Sequence, residues 1–71
     1  MPSNKSREPV EVDVEVIRRS DAALLVNDGN VEVWIPFSLI LEDSEIDRTS
    51  DVGDDGVLII PEWEAYESNL I

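Results

Sequence analysis

Val10-Glu11-Val12-Asp13-Val14-Glu15-Val16-Ile17 alternates without a break, with valines at 10, 12, 14 and 16 and carboxylates at 11, 13 and 15. Period 2 with β-branched residues is the pattern of a half-buried strand. Arg18-Arg19-Ser20-Asp21 reads as a turn, and the apolar run Ala22 to Val26 as a second strand. Asn27-Asp28-Gly29-Asn30 follows. Asp-Gly between two apolar runs predicts a hairpin closed by a type I′ turn, whose central residues both need positive φ. Val31, Val33 and Ile35 form the inward set of a third strand, with Glu32 and Trp34 on its other face. Residues 10–35 are therefore expected to form a three-stranded antiparallel meander.

Downstream, Pro36 ends the third strand because it has no N–H for a ladder. Phe37-Ser38-Leu39-Ile40-Leu41 is apolar but too short for a full helix, which predicts one helical turn plugging an end of the sheet. Residues 42–56 form a polar stretch with seven acids and one arginine, read as a loop anchored by Ile46 and Val52. A structureless loop of that length is usually functional or mobile. Val57 to Ile60 is a fourth, buried strand. Pro61-Glu62-Trp63-Glu64 opens a terminal helix, with proline at its first position and acids at the positive end of its dipole. Trp63, Tyr66 and Leu70 fall on one face of that helix, which should cover an edge or face of the sheet. Upstream, residues 1–9 contain two prolines and no apolar periodicity, and read as a tail. The expected fold is α+β: one small domain over residues 10–71. Its antiparallel β-meander of about four strands, a curved sheet or SH3-like partial barrel, carries a short helical turn and a C-terminal helix.

The 71-residue chain carries 17 acidic and five basic residues, a net charge of −12, with no histidine and no cysteine. Disulfides, Cys/His zinc sites, thiol nucleophiles and histidine acid–base schemes are excluded. No apolar run approaches the ~18 residues of a membrane span, and no signal-peptide pattern opens the chain. Without histidine, cysteine or a core lysine, no nucleophile–base pair can be assembled, so the reading is non-enzymatic and cofactor-free. Direct nucleic-acid binding is disfavoured too, because the basic residues Lys5, Arg7, Arg18 and Arg19 stand beside 17 acids. The same charge steers the chain toward basic clefts, of which nucleic-acid-binding clefts are the commonest.

The stripe Glu11, Asp13, Glu15 is the sharpest feature. Same-face residues on a strand lie ~6.7 Å apart, whereas one DNA strand carries a phosphate every ~3.4 Å of axis. A single stripe is half as dense as DNA and needs a second acidic row to resemble it. Glu32 across the sheet, the 42–55 stretch, or Glu62, Glu64 and Glu67 could supply that row. The candidate contact residues are Glu11, Asp13, Glu15, Glu32, Asp43, Glu45, Asp47, Asp54 and Asp55. An exposed strand face must be polar in any case, but aspartate is disfavoured in strands and like charges in line lower stability.

Two further constellations carry less. Asp51, Asp55, Gly56 and Glu62 fall at positions 1, 5, 6 and 12 of a calcium-loop template. Position 3 is Gly53, and Pro61 lies inside the loop, so an acidic turn is the better reading. Trp34, Trp63 and Tyr66 read as core or core rim. Trp34 shares a face with Glu32, so either the helix covers it or it is an exposed anchor for a partner; the first is preferred.

A meander ending in Trp34-Ile35-Pro36-Phe37-Ser38-Leu39-Ile40, with a late Pro61-Glu62-Trp63 helix, resembles small proteins encoded by phages and prophages. The resemblance covers about residues 10–40 and 57–71. It carries no functional residues over, and the acidic stretch 42–56 departs from it. By class analogy, small acidic phage proteins include anti-CRISPR and anti-restriction inhibitors that look like DNA to host nucleases. The resulting expectation is a phage-encoded inhibitor in the host cytoplasm, monomeric or homodimeric. It would occupy the basic cleft of a nucleic-acid-binding defence protein, a CRISPR effector among the candidates, as a DNA mimic. Two alternatives stand beside it. One is an interaction module docking through Trp34 or a sheet edge. The other is a halophilic housekeeping domain, which one lysine against four arginines also fits.

Overall fold

The computed structural model describes residues 7–71. Strands β1 (Pro9–Arg19), β2 (Ala23–Asn27) and β3 (Glu32–Pro36) form the expected meander. A 3₁₀ turn, Phe37–Leu39, follows β3, then β4 (Asp55–Pro61) and α1 (Glu62–Glu67). The four antiparallel strands make one open sheet in the order β3-β2-β1-β4. The chain is α+β.

Alternation sets the register. Val10 faces Ile60 and Val12 faces Leu58 across β1 and β4, while Val26 faces Val16 on one side and Val33 on the other. One slipped residue would turn every valine to solvent, so burial locks the pairing. Val14, Val16, Leu24, Val26, Ile35, Leu58 and Ile60 are buried on one sheet face. The same face is closed by Ile46, Ala65 and Leu70, with Phe37 and Ile40 packed against them. Segment 37–54 thus crosses from the β3 edge to the β4 edge over the core, and α1 packs beside it.

Several local expectations change. Residues 1–6 of the expected tail lie outside the described residues, but the tail does not reach residue 9. Glu62 N–H donates to the Glu8 carbonyl at 2.9 Å, and Pro9 already faces Pro61. Arg18-Arg19 is not a turn. β1 continues through a bulge between Val16 and Arg18, and Arg19 faces Leu24. The turn itself is Ser20–Ala23, where the Ser20 hydroxyl accepts the N–H groups of Ala22 and Ala23 at 3.2 and 3.1 Å.

The β2–β3 turn is not type I′. Gly29 takes φ 104°, and neither Asp28 nor Asn30 has positive φ. Side chains complete the turn: Asp28 Oδ1 accepts the N–H groups of Asn30 (2.8 Å) and Val31 (2.9 Å), and Asn27 Oδ1 accepts that of Gly29. These two bonds, Val31 first, hold the Asp28 carboxyl below its ordinary pKa.

Residues 42–54 are not a free loop. Ile46 is 2% exposed in the core, whereas Val52 is 60% exposed and anchors nothing. Arg19 donates to the carbonyls of Ser50 and, at 3.0 Å, Arg48, and lies 3.8 Å from Asp51. At the bulge, Val16 N–H donates to the Asp54 carbonyl and Gly53 N–H, at φ 96°, to the Val16 carbonyl, both at 2.8 Å.

Pro61 is the N-cap of α1 and not its first residue. The helix spans six residues and ends in a Schellman motif with Asn69 at φ 61°. Asn69 N–H donates to Tyr66 and Leu70 N–H to Ala65. The chain therefore leaves the helix before Leu70. Leu70 is buried while Tyr66 is 60% exposed, so the expected Trp63/Tyr66/Leu70 face does not form.

Candidate functional site

Because the valines of β1 point to the core, Glu11, Asp13 and Glu15 stand together on the opposite face, all exposed. That face carries neither the crossover nor α1. The register that sets Val12 on Leu58 also sets Glu11 opposite Ile59, Asp13 opposite Val57 and Glu15 opposite Asp55. On its other side Glu15 faces Asn27, and Asn27 faces Glu32. One row thus crosses all four strands as Glu32, Asn27, Glu15, Asp55. Asn27 Nδ2 donates to Glu32 Oε2 at 3.4 Å. Five of the nine candidate carboxylates share this open face: Glu11, Asp13, Glu15, Glu32 and Asp55.

The cross-strand neighbours of Glu11, Asp13 and Glu15 are Ile59, Val57, Asp55 and Asn27, with no base among them. Like charges directly opposite one another are destabilising in a sheet. Asp13, Val14, Glu15, Asn27, Asp55 and Gly56 line a shallow depression here. Adjacent strands lie ~4.8 Å apart and same-face residues on one strand ~6.7 Å, so Glu11 to Glu15 spans ~13 Å. One DNA strand carries about four phosphates over that length, against the three carboxylates of the stripe; Glu32 and Asp55 extend the charge across the strands.

The structure leaves the other four candidates off this face. Glu45 Oε1 accepts the N–H of Val57 at 2.8 Å, on the outer edge of β4. Asp47 Oδ1 accepts the Thr49 hydroxyl at 2.6 Å and its N–H at 2.9 Å, which lowers the Asp47 pKa, the hydroxyl contributing most. Asp54 Oδ2 accepts the Asp51 N–H at 2.9 Å. Asp43 sits in a turn at φ 71°. These carboxylates shape the crossover, and spacing alone could not reveal it. Nor does α1 supply the second acidic row, since it lies on the core side. There Glu64 is buried, and its Oε2 accepts the Ser68 hydroxyl at 2.9 Å.

Trp34 is the functional candidate that changes most. It is 45% exposed, in a row with Leu25 and Arg18 on the open face, and α1 does not cover it. The calcium-loop reading does not survive: Asp55 and Gly56 belong to β4 and Glu62 to α1. Among the described residues, no group of three or more acidic, histidine or cysteine side chains is placed to hold a metal ion. No helix among them is long and apolar enough to cross a membrane.

Comparison with protein-family models, curated proteins and solved structures returns no match.

Proposed function

We propose that this chain is a non-enzymatic inhibitor that occupies the basic cleft of a nucleic-acid-binding protein, presenting carboxylates where phosphates would lie. The observation that carries the reading is Glu15 directly opposite Asp55, extended through Asn27 to Glu32 and along β1 to Asp13 and Glu11. A sheet needing only solubility gains from alternating signs across its strands. This one sets Glu15 opposite Asp55, giving up stability for an acidic face that runs both along β1 and across the strands. The net charge of −12 adds long-range attraction toward a basic cleft. The resemblance of the Trp34–Ile40 and Pro61–Trp63 motifs to small phage proteins fits a target among host defence proteins, of the anti-CRISPR or anti-restriction kind, in the host cytoplasm.

The test is capture from a bacterial lysate on the immobilised full chain, beside a Glu11→Gln/Asp13→Asn/Glu15→Gln variant. A nucleic-acid-binding protein retained by the parent, released by moderate salt, displaced by added DNA and lost from the variant is the expected result. Equal capture by both chains, or capture insensitive to salt and DNA, overturns the reading.

A further inference from the structure

The two edges of the sheet are finished differently. In the middle of β4 the outward groups are those of Val57 and Ile59, and the crossover satisfies each of them. Val57 N–H is taken by Glu45 Oε1 and Ile59 N–H by Ser44 Oγ. Val57 C=O accepts from Glu45 and Ile46, and Ile59 C=O from Leu41. On β3 the Asp28–Val31 and Ala22–Phe37 bonds fix which residues turn inward to β2. By alternation Glu32, Trp34 and Pro36 turn their main chain outward. Among the described residues, the main-chain N–H and C=O groups of Glu32 and Trp34 have no partner on that side.

We infer that the free edge of β3 takes an extended, arginine-bearing segment of a partner protein as a fifth strand. Strand addition draws affinity from main-chain bonds and specificity from alternate side chains. Glu32 and Trp34 provide the first through two N–H groups and two carbonyls, and Pro36, lacking an N–H, limits the register. The second comes from the open face, where Glu32 and the half-exposed Trp34 stand two residues apart on one strand. A carboxylate beside an indole is a receptor for guanidinium, which can pair with one and stack on the other. Arg18, the cation of this row, is two strands further in, behind Leu25. A second copy of the chain is the poorer occupant, because each copy brings a charge of −12 and an edge Glu32. The surface shares with the proposed function Glu32 and the basic character of the partner, and it does not use Glu11 or Asp13.

The test is amide NMR of the isotopically labelled full chain titrated with the synthetic peptide Thr-Arg-Val-Arg-Val-Thr at low salt. Its control is the same peptide methylated at the main-chain nitrogens of both arginines and both valines, which removes the N–H groups on either side of the strand. Shifts and slowed hydrogen exchange at Glu32 and Trp34, a moved Trp34 indole signal and about tenfold weaker binding of the N-methylated peptide are expected. Trp34→Ala and Glu32→Pro, the latter removing an N–H that β2 does not use, should each weaken the peptide similarly. Glu11→Gln/Asp13→Asn should leave it bound. The inference is overturned by equal binding of the two peptides, by shifts centred on Glu11–Glu15, by concentration-dependent shifts without peptide, or by no binding. Loss of lysate capture on neutralising the stripe tests the other proposal and leaves this one standing.

Discussion

Glu15 and Asp55 are direct cross-strand partners on the open face of the sheet, two carboxylates in register at the end of the β1–β4 ladder. Their opposition follows from the core: with Val12 on Leu58 and Val10 on Ile60, no other residue of β4 can face Glu15. Replacing Asp55 with lysine turns repulsion into attraction, a gain of about 0.5–1 kcal/mol. For a domain of this size that raises Tm by a few degrees, ~4–8 °C per kcal/mol. Thermal unfolding followed by circular dichroism at low salt should show the rise, shrinking as salt is added. Capture of a basic partner should weaken in the same variant. A variant more stable and equally retained would separate the acidic row from function.

Arg19 is the clamp on the crossover. Its guanidinium donates to the carbonyls of Ser50 and Arg48, so Arg19→Ala leaves a partly buried carbonyl without its donor. A loss of about 1–2 kcal/mol is expected in urea unfolding with unchanged m-value. Arg19→Lys should recover little of it, because an ammonium lacks the planar fork that reaches two carbonyls. Full recovery by lysine would show that charge beside Asp51 was the important feature.

The sealed β4 edge depends on short contacts. Ser44→Ala removes the acceptor of Ile59 N–H. Gly56→Ala would place a Cβ 2.8 Å from Glu45 Oε1 and 3.3 Å from Glu45 Cβ, displacing the cap on Val57. Each should cost about 1 kcal/mol and speed amide exchange, at Ile59 in the first and Val57 in the second. Unchanged exchange at both positions would mean that the crossover does not hold this edge.

The hairpin turn is acid-sensitive. The folded-state pKa of Asp28 is lowered by the N–H groups of Val31 and Asn30. Its carboxylate therefore stabilises the turn above the unfolded value of about 3.9. That contribution is lost as pH falls through the lower folded value. Chemical-shift titration should show the Asn30 and Val31 amides moving together below about pH 4. Asp28→Asn keeps an acceptor oxygen that does not titrate, and should flatten the response.

Alternation in Val10–Val16 was enough to read the meander, its buried face and the grouping of Glu11, Asp13 and Glu15, because a period of two is a local property of extended backbone. Pro36 and the Pro-Glu-Trp run likewise marked the 3₁₀ turn and the helix near their observed places. The bulge at Ile17 was not legible: Arg18-Arg19 has the composition of a turn. Pairing of Arg18 with Leu25 and of Arg19 with Leu24, beside the bonds of Val16 to Gly53 and Asp54, keeps that segment extended and sets Arg19 on the core side. The crossover was misread for a related reason. Its carboxylates look solvated in sequence, yet Glu45, Asp47 and Asp54 each accept a backbone N–H, two of them inside tight turns.

The sequence by itself determined which strands form, which of their faces is apolar and how strongly the protein repels anions, since each depends on neighbouring residues or on a sum over the chain. Tertiary structure alone decided that β4 pairs with β1, that Asp55 therefore opposes Glu15, and that Trp34 stays open while α1 packs elsewhere. Those outcomes depend on contacts between segments some forty residues apart in the chain. Burying Ile46, Leu58 and Ile60 on one face leaves only one place for the crossover and the helix, and so leaves the carboxylates and the β3 edge facing outward.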